Sequence, residues 1–304
     1  MKETLSSSRE GGWPIQILQS PERKSSMLKI GFIDYYLDEW HANNYPAMIQ
    51  RLTPGRAEVT AAYGKIASPK SGVTSEDWCA KMGVCCCASA AELVDSCDCI
   101  VVLSPDNPEM HWELCQEALS SGKPVFVDKT FSPDVKTARD LFALAEKHHT
   151  PMYSCSSLPF AGELAELPEG EIDFVDACGP GHDANYFVHQ FEPVAALTGW
   201  KALRLLCLRT AGTCHFDIEF EGGKRASFSL LGDEGAYSLT VRYTDGRVRA
   251  IPEMTGFFDR FIVEMVGFFE TGKTPVPADR TIHVMAMIEA GQKAMAAPGT
   301  WVEL

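Results

Sequence analysis

The feature that most constrains the fold is an alternation of short apolar runs and helical patterns between Leu28 and Cys155. Runs such as Cys99–Leu103 and Pro124–Val127 have the length and composition of buried strands. The stretch Ser132–His148, which follows one of them, has helical spacing. Strands that alternate with helices predict a parallel sheet joined by right-handed crossovers. The first half of the chain is therefore predicted to be a doubly wound α/β domain.

The second half has a different pattern. Five runs between Leu203 and Ile251 alternate apolar and polar residues, which is typical of half-buried antiparallel strands. Gly222-Gly223 and Asp245-Gly246 are typical hairpin turns. We predict three regions: a poorly ordered extension at 1–26, a Rossmann-type nucleotide-binding domain at 27–155, and an α+β domain at 156–304. The last would contain an open, mostly antiparallel sheet with helices on one face.

Composition excludes several kinds of partner. The net charge of −14 disfavours binding to nucleic acid and to anionic membrane surfaces. No apolar run approaches the roughly 20 residues that span a bilayer. The eleven cysteines form no CxxC pair, and three of them are adjacent at Cys85–Cys87. This pattern favours reduced thiols in a cytoplasmic protein over disulfides or a zinc site, and core packing or a buried loop for Cys85–Cys87.

Three segments carry a resemblance to a known family. They are residues 99–132, which include GKPVFVDKT, residues 188–199 (VHQFEPVAALTG), and residues 261–294. Their order and spacing resemble the Gfo/Idh/MocA family of nicotinamide-dependent oxidoreductases, from about residue 27 to residue 304. The resemblance implies an NAD or NADP cofactor, a sugar or polyol substrate, and a homo-oligomer formed through the C-terminal sheet.

The resemblance also implies catalytic residues. Lys129 matches the lysine that hydrogen-bonds the reacting hydroxyl, and burial at the end of a strand would favour proton exchange by its amine. His189 matches the proton acceptor, and Asn185 stands where the family commonly has an aspartate. The residues alone allow an alternative interpretation, in which Lys129 is an ordinary lysine at the end of a strand and points into water. His189 would then be a helix residue bonded to a backbone carbonyl.

The chain differs from the family pattern at the dinucleotide-binding motif. Asp34 and Tyr36 occupy positions where G-x-G-x-x-G has glycines, so a carboxylate would repel the pyrophosphate and a ring would crowd it. His41 and Tyr45 open the next helix and could line the crevice, whereas Asn43 is more typical of a helix cap. The resemblance implies cofactor contacts at the ends of three strands, namely Ile33, Asp34 and Tyr35, then Ser104, Pro105, Asn107 and His111, and finally Asp128 and Lys129.

Three functions remain open at this point. The first is an NAD(P)-dependent oxidoreductase acting on a CH–OH group of a sugar, cyclitol or related polyol. The second is a non-catalytic binding or regulatory protein that has lost dinucleotide binding. The third is a lyase or hydrolase that uses Lys129 and His189 as acid and base.

Overall fold

The computed structural model describes residues 26–182 and 184–304. Except for Ser26, the predicted N-terminal extension lies outside the described residues. The chain divides into two compact units. Among the described residues, the N-terminal unit contains 26–156 and 258–285, and the C-terminal unit contains 157–182, 184–257 and 286–304. No helix in the described parts of the chain is long and apolar enough to cross a bilayer.

The N-terminal unit is built on a six-stranded sheet. Its strands and helices are β1 (Leu28–Asp34), α1 (Trp40–Leu52), β2 (Ala57–Gly64), α2 (Ser75–Met82), β3 (Cys85–Cys86), α3 (Ala90–Ser96), β4 (Cys99–Val102), α4 (His111–Leu114), α5 (Gln116–Leu119), β5 (Val125–Val127), α6 (Val135–Lys147) and β6 (Met152–Tyr153). The strand order is β3-β2-β1-β4-β5-β6, and every pair is parallel. This is the doubly wound order of a Rossmann fold, so the predicted fold class is confirmed.

Buried strands and capped helices explain this arrangement. β4 and β5 are buried along their whole length, as expected for central strands covered on both faces. Helix starts are fixed by side chains that accept backbone N–H groups. Ser89 caps α3, Thr74 caps α2 and Asp134 caps α6, so α6 begins three residues later than the predicted start at Ser132.

Two further segments of this unit have irregular features. Residues 108–119 begin as a 3₁₀ turn, Pro108–Met110, and continue as the short helices α4 and α5. Trp112 on α4 is exposed. The predicted packing of Cys85–Cys87 in the core or in a buried loop is confirmed for Cys87, which is buried. It is wrong for Cys85, which is exposed in the short edge strand that Cys85 and Cys86 add to β2.

The C-terminal unit contains a second sheet. The remaining elements of the chain are α7 (Gly162–Ala165), β7 (Ile172–Gly179), α8 (Phe187–Thr198), β8 (Ala202–Arg209), β9 (Cys214–Phe220), β10 (Arg225–Leu230), β11 (Ser238–Tyr243), β12 (Val248–Ile251), α9 (Phe257–Thr271), α10 (Ala278–Ala296) and β13 (Trp301–Glu303). The strand order is β12-β11-β7-β10-β9-β8-β13. All neighbours are antiparallel except β7 and β10, which confirms a mixed, mostly antiparallel sheet.

Strand β7 was missed by the sequence analysis. It lies between β10 and β11, so the predicted run of consecutive hairpins is interrupted in the middle of the sheet. The two predicted turns are correct: Gly222-Gly223 joins the antiparallel pair β9 and β10, and Asp245-Gly246 joins β11 and β12.

Four phenylalanines form the aromatic core of this unit. Phe187 and Phe191 of α8 pack against Phe216 of β9 and Phe228 of β10, and all four side chains are fully buried. The rings of Phe216 and Phe228 stack with their centroids 4.6 Å apart. Helix α8 is therefore held to the sheet by ring packing at one central place.

We predict that Phe216→Ala lowers the free energy of unfolding by about 3–5 kcal/mol, because it leaves a cavity at the centre of this cluster. Leu208→Ala on the neighbouring strand is the control, since its side chain is half-exposed and should change stability little. Denaturant unfolding of both variants measures the difference. Equal losses in the two variants would contradict the assignment of the cluster as the core.

Candidate functional site

The carboxyl edge of the parallel sheet is where ligands bind in doubly wound folds. Strand β1 ends there at Asp34, and β5 ends directly before Asp128 and Lys129. Both strands are neighbours of β4 in the sheet. Ile33 is fully buried inside β1, paired with Tyr63 and Val102 on the two sides, so its backbone is committed to the sheet.

A buried histidine–carboxylate pair lies at this edge. His41 Nδ1 is 2.5 Å from Asp128 Oδ2, and both side chains are almost entirely buried. The other oxygen of Asp128 accepts the backbone N–H of Lys129 at 2.7 Å. The His41 ring stacks on Tyr45 with a centroid distance of 5.0 Å. The pair therefore joins the start of α1 to the end of β5, next to Lys129.

Burial and charge shift the pKa values of His41 and Asp128 in opposite directions. Burial disfavours the charged imidazole, but the charge and hydrogen bond of Asp128 outweigh it and raise the pKa of His41. Burial likewise opposes ionisation of Asp128, but the His41 charge and hydrogen bond, followed by Lys129, hold the pKa of this carboxyl below its ordinary value. Both shifts favour an imidazolium–carboxylate pair near neutral pH.

Helix α1 is capped by Glu39, and its carboxylate takes the first N–H groups of the helix. Glu39 Oε2 accepts the backbone N–H of His41 at 2.7 Å, and Oε1 accepts that of Ala42. Burial raises the pKa of Glu39 to about 7, although His41 and the two N–H groups oppose this shift. Asn43 is not the cap: its side chain bonds Trp78 and Asp38 instead.

Asp34, at the end of β1, is a second buried carboxyl group at the turn between β1 and α1. Its carboxyl accepts the backbone N–H groups of Tyr35 and Tyr36, and its side chain is 1% exposed. Oδ2 has no hydrogen-bond partner among the described residues. Burial, followed by the nearby Glu39, raises the pKa of Asp34 well above its ordinary value, which favours the protonated form. Asp34 thus occupies two N–H groups of the turn, and its repulsion of a pyrophosphate stays a prediction.

The turn after β4 contains the next predicted residues. Ser104 has a φ of 80°, which is uncommon and strained for a residue other than glycine. The backbone N–H of Asn107 closes the turn by donating to Ser104 O, and Pro105 is buried within it. His111 has no exposed surface, and its ring lies between the carbonyls of Leu103 and Phe131. Burial lowers the pKa of His111, so the neutral ring donates to one carbonyl at a time.

His189 and Asn185 lie in the C-terminal unit, whereas Lys129 belongs to the N-terminal unit. His189 is the third residue of α8, and Asn185 is in the 3₁₀ turn before it. The His189 ring lies between Tyr186 and Tyr237, at centroid distances of 6.0 and 5.6 Å. It is partly buried in an aromatic setting on the helix where the sequence predicted it.

Gln190, next to His189, was missed by the sequence analysis. It is fully buried, and neither polar atom of its amide has a hydrogen-bond partner among the described residues. Gly179 at the end of β7 permits this packing, because a Cβ there would lie 2.7 Å from Gln190 Nε2 and 2.4 Å from Tyr237 Cδ1. No sequence motif singles out Gln190, since a glutamine in an apolar helix has no distinctive spacing.

Comparison with known proteins agrees with this geometry. Residues 39–155 match the model of the Gfo/Idh/MocA oxidoreductase family, described as an NAD-binding Rossmann fold. Residues 39–155 of this chain are therefore similar to the NAD-binding Rossmann domain of that family. The family resemblance predicted from the sequence is thereby confirmed. The match begins at Glu39, so β1 and the turn that follows it lie before the matched residues.

Solved structures resemble the fold of nearly the whole chain. The apo scyllo-inositol dehydrogenase from Lactobacillus casei is 15% identical, with a TM-score of 0.73 over 91% of this chain and 98% of that one. The myo-inositol 2-dehydrogenase from Lactobacillus plantarum is also 15% identical, with a TM-score of 0.74 over 92% and 100%. The L. casei enzyme with bound NAD(H) and scyllo-inositol is 14% identical, with a TM-score of 0.71 over 91% and 99%. A search of curated proteins gave no match.

The Gfo/Idh/MocA assignment raises the question of whether a dinucleotide fits. In Rossmann folds the pyrophosphate binds N–H groups at the start of the first helix, where glycines allow a close approach. In this chain Glu39 occupies those N–H groups, and Asp34 occupies those of the turn. Tyr36 is buried beside them. The residues of this turn therefore do not fit a pyrophosphate.

Metal binding has no evident site in the described part of the chain. No group of three His, Cys, Asp or Glu side chains there is arranged to hold a metal ion.

We predict that Asp128→Asn lowers the pKa of His41, because burial then acts without the compensating charge. Titration of the His41 ring by NMR measures this shift. Asp106→Asn is the control, since it removes an exposed carboxylate in the same unit. An unchanged His41 pKa in Asp128→Asn would contradict the pairing.

The raised pKa of Glu39 predicts a pH dependence of stability. A carboxyl whose folded-state pKa rises from 4.5 to about 7 loses stability as pH increases through that window. The free energy of unfolding of the wild type should therefore fall, relative to Glu39→Gln, by roughly 3 kcal/mol between pH 4.5 and 7.

Denaturant unfolding at several pH values measures this difference, and exposed Glu76→Gln in α2 is the control. Asp34, His41 and Asp128 face Glu39 and titrate in both proteins, so comparison with the variant isolates the contribution of Glu39. Parallel pH profiles for wild type and Glu39→Gln would show that burial does not raise this pKa.

Proposed function

We propose that the chain is an enzyme that acts at a hydroxyl-bearing carbon of a sugar, cyclitol or related polyol by proton transfer. The observation that carries the proposal is the buried His41–Asp128 pair directly beside Lys129 at the carboxyl edge of the sheet. The substrate class is supported by the similar structures, which are those of inositol dehydrogenases.

The three residues have distinct roles in this proposal. Asp128 keeps the imidazole of His41 protonated and oriented, so that His41 donates a proton to a leaving or developing oxyanion as a general acid. Lys129, at the end of β5, hydrogen-bonds the substrate hydroxyl through its ammonium donors. A buried ion pair contributes little net stability, so stability alone gives no reason to keep it here. Elimination of water from a keto-polyol is the matching reaction type: His41 protonates the hydroxyl group that leaves as its C–O bond breaks, and the proton of the carbon next to the carbonyl passes to water as the C=C bond forms.

Nicotinamide-dependent oxidation or reduction of the same CH–OH group is the second candidate. The match of residues 39–155 to an NAD-binding domain favours it. A nicotinamide, when bound, would exchange a hydride with the carbinol carbon, and Lys129 would hydrogen-bond the hydroxyl. The filled turn between β1 and α1 favours the first candidate, because acid–base chemistry requires no pyrophosphate there. The filled turn equally favours a binding protein that has no catalytic activity. Detectable turnover would exclude that alternative.

Other expectations from the sequence stay predictions. These are the domain boundaries at 27–155 and 156–304, a homo-oligomer formed through the open sheet of the C-terminal unit, and a cytoplasmic location.

Turnover of a polyol panel, with and without NAD and NADP, tests the proposal. The panel contains inositols, keto-inositols, sugars and sugar acids, with products detected by NMR. We expect conversion without nicotinamide, and a loss of about 100-fold or more in Lys129→Ala and in His41→Gln. Lys136→Ala on α6 is the control, because its side chain is exposed and pairs only along the helix surface. Conversion that strictly requires NAD or NADP would overturn the first candidate in favour of the second.

A further inference from the structure

The N–H groups that form the phosphate site of a Rossmann fold already have partners in this chain. Those of His41 and Ala42 donate to the carboxylate of Glu39, and those of Tyr35 and Tyr36 donate to the carboxyl of Asp34. All four belong to the turn and first helical residues that follow β1. Two side-chain carboxyl groups thus take the hydrogen bonds that a pyrophosphate would take.

Side chains also fill the space at this turn. The side chains of Asp34, Tyr36 and Glu39 are 1%, 5% and 9% exposed. The phenol of Tyr36 extends toward Asp106, with an O···O distance of 3.5 Å, and Lys70 bonds the same carboxylate. A dinucleotide would have to displace these groups and give the four N–H donors new partners. An ionised Glu39 would also repel each phosphate at close range.

We propose that Glu39 and Asp34 are internal replacements for the phosphates of a dinucleotide, so that this Rossmann unit is closed to NAD and NADP at its first helix. The helix start is satisfied by the chain itself, and the fold needs no bound anion there. The family match is consistent with this proposal, since it starts at Glu39 and leaves out the turn. A ligand at this edge would then be recognised by hydroxyl groups near His41 and Lys129 rather than by phosphates.

Binding of NADH, NAD, NADP and ADP-ribose tests the proposal in the absence of any polyol. Nicotinamide fluorescence and calorimetry at pH 8, where Glu39 is mostly ionised, provide the readout. We expect no saturable binding to the wild type at millimolar ligand. The Asp34→Gly/Glu39→Gly variant should gain at least about tenfold in affinity for ADP-ribose, which corresponds to about 1.4 kcal/mol.

Matched variants make the result specific. Asp38→Gly removes a carboxylate from the same turn, but its side chain bonds Ser71 and Asn43 rather than the helix N–H groups, so it should gain nothing. If circular dichroism shows that the double glycine variant is unfolded, the Asp34→Gly/Glu39→Ser variant is measured in its place. Serine still caps the helix, with a smaller side chain.

Micromolar binding of NAD or NADH to the wild type would overturn the proposal. So would a folded double variant that gains no affinity, because the carboxyl groups would then not be what excludes the ligand. Neither outcome depends on turnover, so failure of the proposed acid–base function is measured separately, with polyols and the Lys129 variant.

Discussion

The hydrogen bonds from the first N–H groups of α1 to Glu39 are the interaction on which the site depends. They fix the start of the helix without any ligand and hold the backbone of His41 in place. Because the helix begins there, the His41 ring reaches Asp128 at the end of β5. Asp128 in turn holds the backbone of Lys129. A single capping carboxylate thus organises the edge of the sheet in a region where the family usually binds a cofactor.

Electrostatics at this edge follow from burial. Three carboxyl groups and one imidazole lie close together in a region with little solvent. Burial shifts Asp34 and Glu39 toward their protonated forms, whereas the contact with His41 keeps Asp128 ionised. The cluster therefore avoids holding three unpaired charges. One ion pair remains beside Lys129, and the proposed acid–base role rests on it.

The sequence predicted those features that arise from local pattern. Buried runs such as those of β4 and β5 identified the parallel sheet, and Lys129 was correctly expected at the end of a strand. Strand β7 was missed because its neighbours β10 and β11 are distant in sequence, and only the sheet order shows that it is central. The absence of glycines in the first turn was visible in the sequence.

The partners of the site residues were not visible in the same way. His41 and Asp128 are 87 residues apart, and no motif links them. Which side chain caps α1 depends on the conformation of the turn, and residue type alone favoured Asn43 over Glu39. The burial of Asp34, which is 1% exposed and whose pKa is raised by that burial, was also not evident from the sequence.

A crystal structure grown at pH 8 with excess NADH tests the central claim most directly, since it shows which group accepts the N–H donors of His41 and Ala42. The account predicts that the Glu39 carboxylate remains on both, with no pyrophosphate at the start of α1. A pyrophosphate bound to those N–H groups, with Glu39 turned away, would contradict it.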